Sequence, residues 1–349
     1  MIECLFTMDY EIYGNGEGSL QELVYAPAQR LAAIFEKWNA RYVNFVEVAE
    51  FEKIEECGTD SGIDLVRKQI RELHQKGFEI ALHLHPQWYN GCHEGGRWQL
   101  DYGEYNLCTL PEARIAEIVE RGLNYLRYAV DQARFTPLSF RAGNWLFQPT
   151  QPAAKLLSDQ GIKIDSSVFK GGLQRNHFLD YRRALKNGYY WPFSTDANVP
   201  DPKGEWIEVP VYTEMVPLWR MATSKRLALG QRAAQPSAGR TLNRALDFVR
   251  FRYPLKFDFC RMTLDEMISM VERVRREDTL HPDVYRPLVA IGHTKDLHDF
   301  ESVDAFLGFL DQKDIAVRTF PDIYAKLSPG NNVAAGREMD ALAGVPLID

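Results

Sequence analysis

The 349-residue sequence predicts an α/β fold built on seven or eight mostly parallel strands. Short apolar runs rich in β-branched and aromatic residues alternate with longer stretches of helical period, the pattern of repeated βα units. Carboxylates and histidines then fall at the ends of several of those runs, where folds of this class build their sites. With 45% hydrophobic and 26% charged residues, the composition is that of a globular protein and excludes disordered, collagenous and coiled-coil classes.

The elements follow in order. Ile2 to Met8 is a buried strand, Pro27 to Trp38 a helix, and Tyr42 to Val48 the next strand. Ile63, Val66, Ile70 and Leu73 recur at helical spacing, Gly77 stops that helix, and Phe78 to Leu84 is the third strand. A long helix covers Pro111 to Arg134. Strands are expected at Leu138 to Phe140, Ile162 to Ser166, Ile207 to Tyr212, Leu288 to Gly292 and Ala316 to Phe320, with helices at Thr263 to Val274 and Ser302 to Leu310. Such a set can close a barrel or form an open doubly wound sheet, and the pattern alone leaves both open.

Forty-eight acidic against 41 basic residues give a net charge of −7, which opposes general nucleic-acid binding. The acidic start of the chain lacks a basic n-region, and no stretch approaches the roughly 18 apolar residues of a membrane span, so a cytoplasmic location and no integral membrane segment are expected. Cys4, Cys57, Cys92, Cys108 and Cys260 are scattered without a C-x-x-C pair, which predicts free thiols. Between Glu214 and Cys260, nine Lys or Arg (Arg220, Lys225, Arg226, Arg232, Arg240, Arg244, Arg250, Arg252, Lys256) accompany three acids. This stretch is either a solvated face or a cradle for a phosphate-bearing substrate. The tail from 328 to 349 is expected to be poorly ordered.

The densest chemical signal is Ile80-Ala81-Leu82-His83-Leu84-His85-Pro86-Gln87. Residues two apart on a strand share a face, so His83 and His85 can converge on one ion; otherwise one is buried and the other solvated. Asp9-Tyr10-Glu11 has the same spacing at the first strand end, where buried unpaired carboxylates are costly unless a cation is near. Two carboxylates and two histidines suit zinc or a similar divalent ion and leave one carboxylate free as a base. Arg141 is a candidate ion-pair partner for a carboxylate, with Gly143 permitting a tight turn behind it. Asp165 ends a further strand, and His293 ends the apolar run Val289 to Gly292, where it is a candidate general acid.

Taken in order, these strand ends spell Thr-x-Asp-x-Glu, His-x-His, Arg-x-Gly-x-Trp, Asp-Ser-Ser and Gly-His. That order resembles the metal-dependent polysaccharide deacetylases of the NodB-homology family over roughly residues 1 to 327. The resemblance implies a distorted (β/α) barrel, with the basic stretch at about 214 to 260 as an insertion, and hydrolysis of an acetamide on an N-acetylated sugar. It implies Asp9 as the base, Glu11, His83 and His85 as ligands of a divalent metal such as Zn²⁺, Arg141 as the partner of the base, Asp165 as the fourth-motif acid and His293 as the general acid. Two departures stand out: Tyr10 separates the acidic pair, which leaves Glu11 or Asp9 as the metal carboxylate, and Gln87 occupies the position of the family's second histidine, so that either His85 takes its place by the strand geometry or the metal is held differently.

The substrate this suggests is a small molecule or oligosaccharide, nucleotide- or lipid-linked, in the cytoplasmic assembly of a surface polysaccharide. A cyclic-amide hydrolase on the same barrel is the alternative within the class. A different class is a non-catalytic carbohydrate-binding protein with a decayed site, supported by Gln87 and by Trp88, Tyr89, Trp98, Tyr102 and Tyr105.

Overall fold

In the computed structural model, residues 1–185, 189–221, 223, 225 and 252–327 are described. Strand β1 (Ile2–Tyr10) is buried from Glu3 to its end, and β2 (Val43–Glu47), β3 (Glu79–Leu84) and β4 (Ser139–Ala142) are buried throughout. Burial on both faces explains why these segments are near-continuous apolar runs, as in a parallel sheet covered by helices. With β5 (Ile164–Asp165), β6 (Trp191–Phe193), β7 (Trp206–Glu208), β8 (Arg286–His293) and β9 (Ala316–Val317), they form a sheet ordered β6-β7-β5-β4-β3-β2-β1-β8, with β9 beside β1. Every pairing is parallel except β6 on β7.

The sheet curls until its ends meet. Just beyond β7, Val211 bridges Phe169 on one side and Val289 of β8 on the other, and Asp258 bridges Ile291. Closure by single bridges instead of full ladders makes this a distorted (β/α) barrel.

Helices α1 (Ala26–Lys37), α2 (Val48–Cys57), α3 (Ile63–Gln75), α4 (Glu112–Val130), α5 (Ala153–Asp159), α6 (Leu264–Leu280) and α7 (Phe300–Gln312) occupy the connections. Several ends differ from the sequence expectation for local reasons. The second strand stops at Glu47 because that side chain accepts the backbone N–H groups of Ala49 and Glu50, starting α2 where a strand residue was expected. Helix α4 ends at Val130 because Asp131 turns left-handed, φ 59°, and returns its N–H to Arg127 and Tyr128. Thr263 and Glu266 form a capping box at the start of α6, which runs on to Leu280. The last strand stops at Val317, and Thr319 with Asp322 caps a short helix, α8 (Phe320–Ile323).

The expected basic insertion is only partly described. A hairpin of Thr213–Val216 against Tyr253–Lys256 brackets it, while Arg226, Arg232, Arg240, Arg244 and Arg250 lie outside the described residues, as does the 328–349 tail. Among the described residues no helix is long and apolar enough to cross a membrane.

Candidate metal centre and active site

Strand register assembles the site. Parallel neighbours in register point to the same side of the sheet, and Glu47, His83 and Arg141 are consecutive partners across β2, β3 and β4. At the closing edge Asp9 of β1 is the register partner of His293 of β8. Five chemistry-bearing groups are thereby gathered at the C-terminal ends of the strands.

The Nε2 atoms of His83 and His85 lie 3.2 Å apart, and Glu11 Oε2 is 3.6 Å from the first and 3.2 Å from the second. With Glu47 these residues offer four ligand atoms all within 4.8 Å of one another, every residue buried. His83 Nδ1 lies 2.7 Å from the Arg141 carbonyl. A carbonyl only accepts, so Nδ1 carries the proton and Nε2 is the ligating atom. Behind His85, the Gln87 and Asn144 side-chain amides each reach Nδ1 at 3.2 Å. The amine of Lys295 bonds Glu11 Oε1 at 2.7 Å and leaves Oε2 facing the imidazoles.

The fit to a divalent ion can be judged from this chemistry. Burial alone would lower the His83 imidazole, but Asp9, Glu11 and Glu47 outweigh it and lift it to about 9. Burial would raise the Glu11 carboxyl, yet Lys295 and the two histidines hold it well below the usual range. The surroundings thus favour positive charge between carboxylate and imidazoles, where a divalent ion with nitrogen and oxygen ligands belongs. In the same cluster, Glu47 Oε2 and Gln87 Oε1 are buried polar atoms without a partner among the described residues. These residues fit a metal.

Asp9 is engaged differently. Its Oδ1 accepts from Arg141 Nη1 at 2.6 Å and its Oδ2 lies 3.4 Å from His293 Nε2. Burial would raise this carboxyl, but Arg141, then His83 and His293, hold it below the usual range. The guanidinium is fully committed: Nε to the Ser166 carbonyl at 2.9 Å, Nη2 to Thr7 and Ser166 hydroxyls at 2.9 and 3.2 Å, its Cζ 4.1 Å from the Phe45 ring centre. Burial pushes the His293 imidazole down despite Asp9 beside it, and its Nδ1 has no partner among the described residues.

Of the residues expected from sequence, Asp9, Glu11, His83, His85, Arg141 and His293 are brought together. Asp165 is not. Its oxygens accept from Ser167 Oγ at 2.6 Å and Ser167 N at 3.1 Å, and burial beside Glu208 raises both acids. Ser167 Oγ in turn accepts the Ala142 N–H at 2.9 Å, so Asp165 buttresses the strand that carries Arg141.

Gly143 also differs from its expected role. The left-handed residues of that turn are Asn144, φ 55°, and Trp145, φ 69°. Gly143 is required by proximity: a Cβ there would strike the Leu84 carbonyl and lie 2.8 Å from the His85 ring. Gln87, four residues after His83, stands behind His85. Two of the aromatics offered for sugar binding, Trp88 and Tyr89, belong to the core.

Sequence reasoning missed Glu47, Lys295 and Asn144, and it read Lys256 only as part of the basic stretch and not at this site. Lys256 lies 4.1 Å from the Trp145 ring centre and 4.7 Å from that of Phe169, and burial lowers its amine to about 8. The first of these was detectable, since Glu47 ends an apolar strand as Asp9 does.

No protein-family model matches the chain, and no curated protein matches it by sequence. Solved structures do. A Mycobacterium smegmatis protein named as a polysaccharide deacetylase superposes with a TM-score of 0.53 at 15% identity, covering 93% of this chain and 90% of that one. A Pseudomonas aeruginosa PAO1 protein under the same name gives 0.50 at 13%, covering 92% and 89%. The allantoinase PuuE gives 0.50 at 11%, covering 92% of this chain and 88% of that one. At these identities the likeness is one of fold: this chain shares the distorted barrel of those proteins.

Proposed function

We propose that the chain is a metal-dependent hydrolase that removes an acetyl group from an N-acetylated sugar or a related amide. One observation carries this reading: Glu11, His83 and His85 converge beside an arginine-held carboxylate, Asp9, that has a histidine, His293, on its other oxygen. Glu11, His83 and His85 would hold the ion, and two imidazoles with a carboxylate favour zinc. When bound, that ion supplies Lewis acidity toward the substrate carbonyl.

The chain's own residues do the rest. Asp9, kept anionic by Arg141, accepts a proton from the attacking water. His293 Nε2, 3.4 Å from Asp9 Oδ2, is within reach to receive that proton and deliver it to the departing nitrogen. A neutral His293, favoured by its burial, is the form able to do so. Arg141 is a positioning residue, acting through Asp9.

The finer substrate assignment is part of the same proposal: an intermediate of surface-polysaccharide assembly, cytoplasmic and nucleotide- or lipid-linked. It rests on composition and on the charge of the 214–260 stretch, read as an insertion in a barrel unit of residues 1–327. Hydrolysis of a cyclic amide by the same groups is the second reading, favoured by the fold likeness to an allantoinase.

The test is acetate release by the zinc-loaded chain from free, nucleotide-linked and lipid-linked N-acetylhexosamines, with allantoin assayed in parallel. Chelator-sensitive acetate release is expected. A zinc-loaded chain that hydrolyses allantoin alone supports the second reading, and one that hydrolyses nothing in the panel contradicts both.

A further inference from the structure

We propose that Glu47 is a fourth protein ligand of the metal centre, so that the ion is held by two imidazoles and two carboxylates. The inference rests on the reading of the cluster as a metal centre and extends its donor set.

Three independent features converge on this residue. Register comes first: Glu47 is the partner of His83 on the adjacent strand, both in fully buried positions at the same level of the barrel. Proximity is the second, because one Glu47 carboxylate oxygen lies within 4.8 Å of the ligating atoms of Glu11, His83 and His85.

The third is how its two oxygens are used. Oε1 accepts the backbone N–H of Ala49 at 3.1 Å and of Glu50 at 3.2 Å at the N-terminus of α2. Those bonds fix the side chain, while burial raises its carboxyl above the usual range against the pull of His85 and His83. Among the described residues Oε2 has no hydrogen-bond partner, although the residue is 0% exposed. A buried carboxylate oxygen left unpaired is costly, and coordination of a cation removes that cost.

The same design recurs around the cluster. Metal ligands are oriented by outer contacts, and every member here has one. The Arg141 carbonyl serves His83, Lys295 serves Glu11, and the amides of α2 serve Glu47; at His85 the Gln87 and Asn144 amides flank Nδ1, and a ligating Nε2 requires an amide oxygen there, which Gln87 Oε1, unpartnered among the described residues, can supply by exchange of the amide ends. Asp9 is the contrasting case, its Oδ1 taken by Arg141 and its Oδ2 turned to His293. Two oxygens and two nitrogens are ligand types that zinc and cobalt accept, and with all four engaged the substrate carbonyl would have to enter as a fifth ligand.

The experiment is calorimetric titration of zinc into the metal-stripped full-length chain, paired with the visible absorption of the cobalt-loaded protein. Wild type is compared with Glu47→Gln, and with Glu50→Gln as a neighbouring control. Glu47→Gln keeps an oxygen for the helix cap while removing the charge. Its zinc affinity should fall by more than the roughly 10- to 100-fold that loss of an outer contact costs, and its cobalt spectrum should change. Glu50→Gln should leave both unaltered.

If Glu47→Gln fails to fold, Glu47→Asp retains a capping carboxylate but draws the second oxygen back from the imidazoles, and the same losses are expected. A wild-type chain that binds zinc, with a variant whose cobalt spectrum is unchanged and whose affinity falls 100-fold or less, overturns the assignment of Glu47 alone. A wild-type chain that binds neither metal overturns the metal centre itself.

Discussion

Arg141 donates to Asp9 Oδ1 at 2.6 Å across 132 positions of sequence, with the guanidinium 0% exposed and every nitrogen committed. A buried pair of this kind is stabilising only while both members are present. Arg141→Met should therefore cost about 3 to 5 kcal/mol, by leaving Asp9 buried and uncompensated. Adding Asp9→Asn should recover part of that loss in denaturant unfolding. Additivity of the two changes within about 0.5 kcal/mol would mean that the pair is not coupled.

Gly143 supports His85 by being small. Gly143→Ala should displace the His85 ring, costing about 1 to 3 kcal/mol of stability and weakening zinc binding by about 10-fold or more. Thermal melts and zinc titration check this together. Unaltered affinity in a folded Gly143→Ala chain would separate the glycine from the site.

Asp9→Asn and His293→Ala should each lower turnover of an N-acetylated substrate by roughly 10²-fold or more while retaining the bound metal. Rates and metal content measured on the same preparation distinguish this from loss of the centre. Undiminished acetate release in either variant removes that residue from the mechanism.

At the opposite end of β3, burial lifts the Glu79 carboxyl to about 7, against the bonds it accepts from Ser139 Oγ at 2.6 Å and Phe320 N at 2.9 Å. Its pKa is raised on folding, so its contribution is fully present below about 4.5, the unfolded value, and is lost as pH rises toward 7. Relative to wild type, Glu79→Gln should gain about 3 kcal/mol between pH 4.5 and pH 8, since the amide cannot ionise. Equal stability differences at the two pH values in denaturant titrations would contradict this.

The barrel was legible because buried parallel strands are apolar runs of recognisable length, and β1, β3 and β8 fall where those runs do. Asp9, Glu11, His83, His85 and His293 were legible because polar groups that interrupt such runs at their ends need a reason. Glu47 has the same signature but was hidden by the unforeseen start of α2, for which it is also the cap. Lys256 was visible only as part of the basic stretch, since it reaches the site through the hairpin with Thr213–Val216, a tertiary pairing that bridges a long sequence gap. Asp165 was legible as a strand-end acid, but its contacts to Ser167 and Glu208, near Arg141, were not, because such an acid looks the same in sequence whichever way it faces.

The metal content of the full-length chain tests the central claim most directly. After loading with zinc and exhaustive dialysis, the wild-type protein should retain one ion per chain, and His83→Ala and His85→Ala should each retain close to none. Wild-type stoichiometry in both variants would contradict the account, because the ion would then be held somewhere other than between these two imidazoles and Glu11.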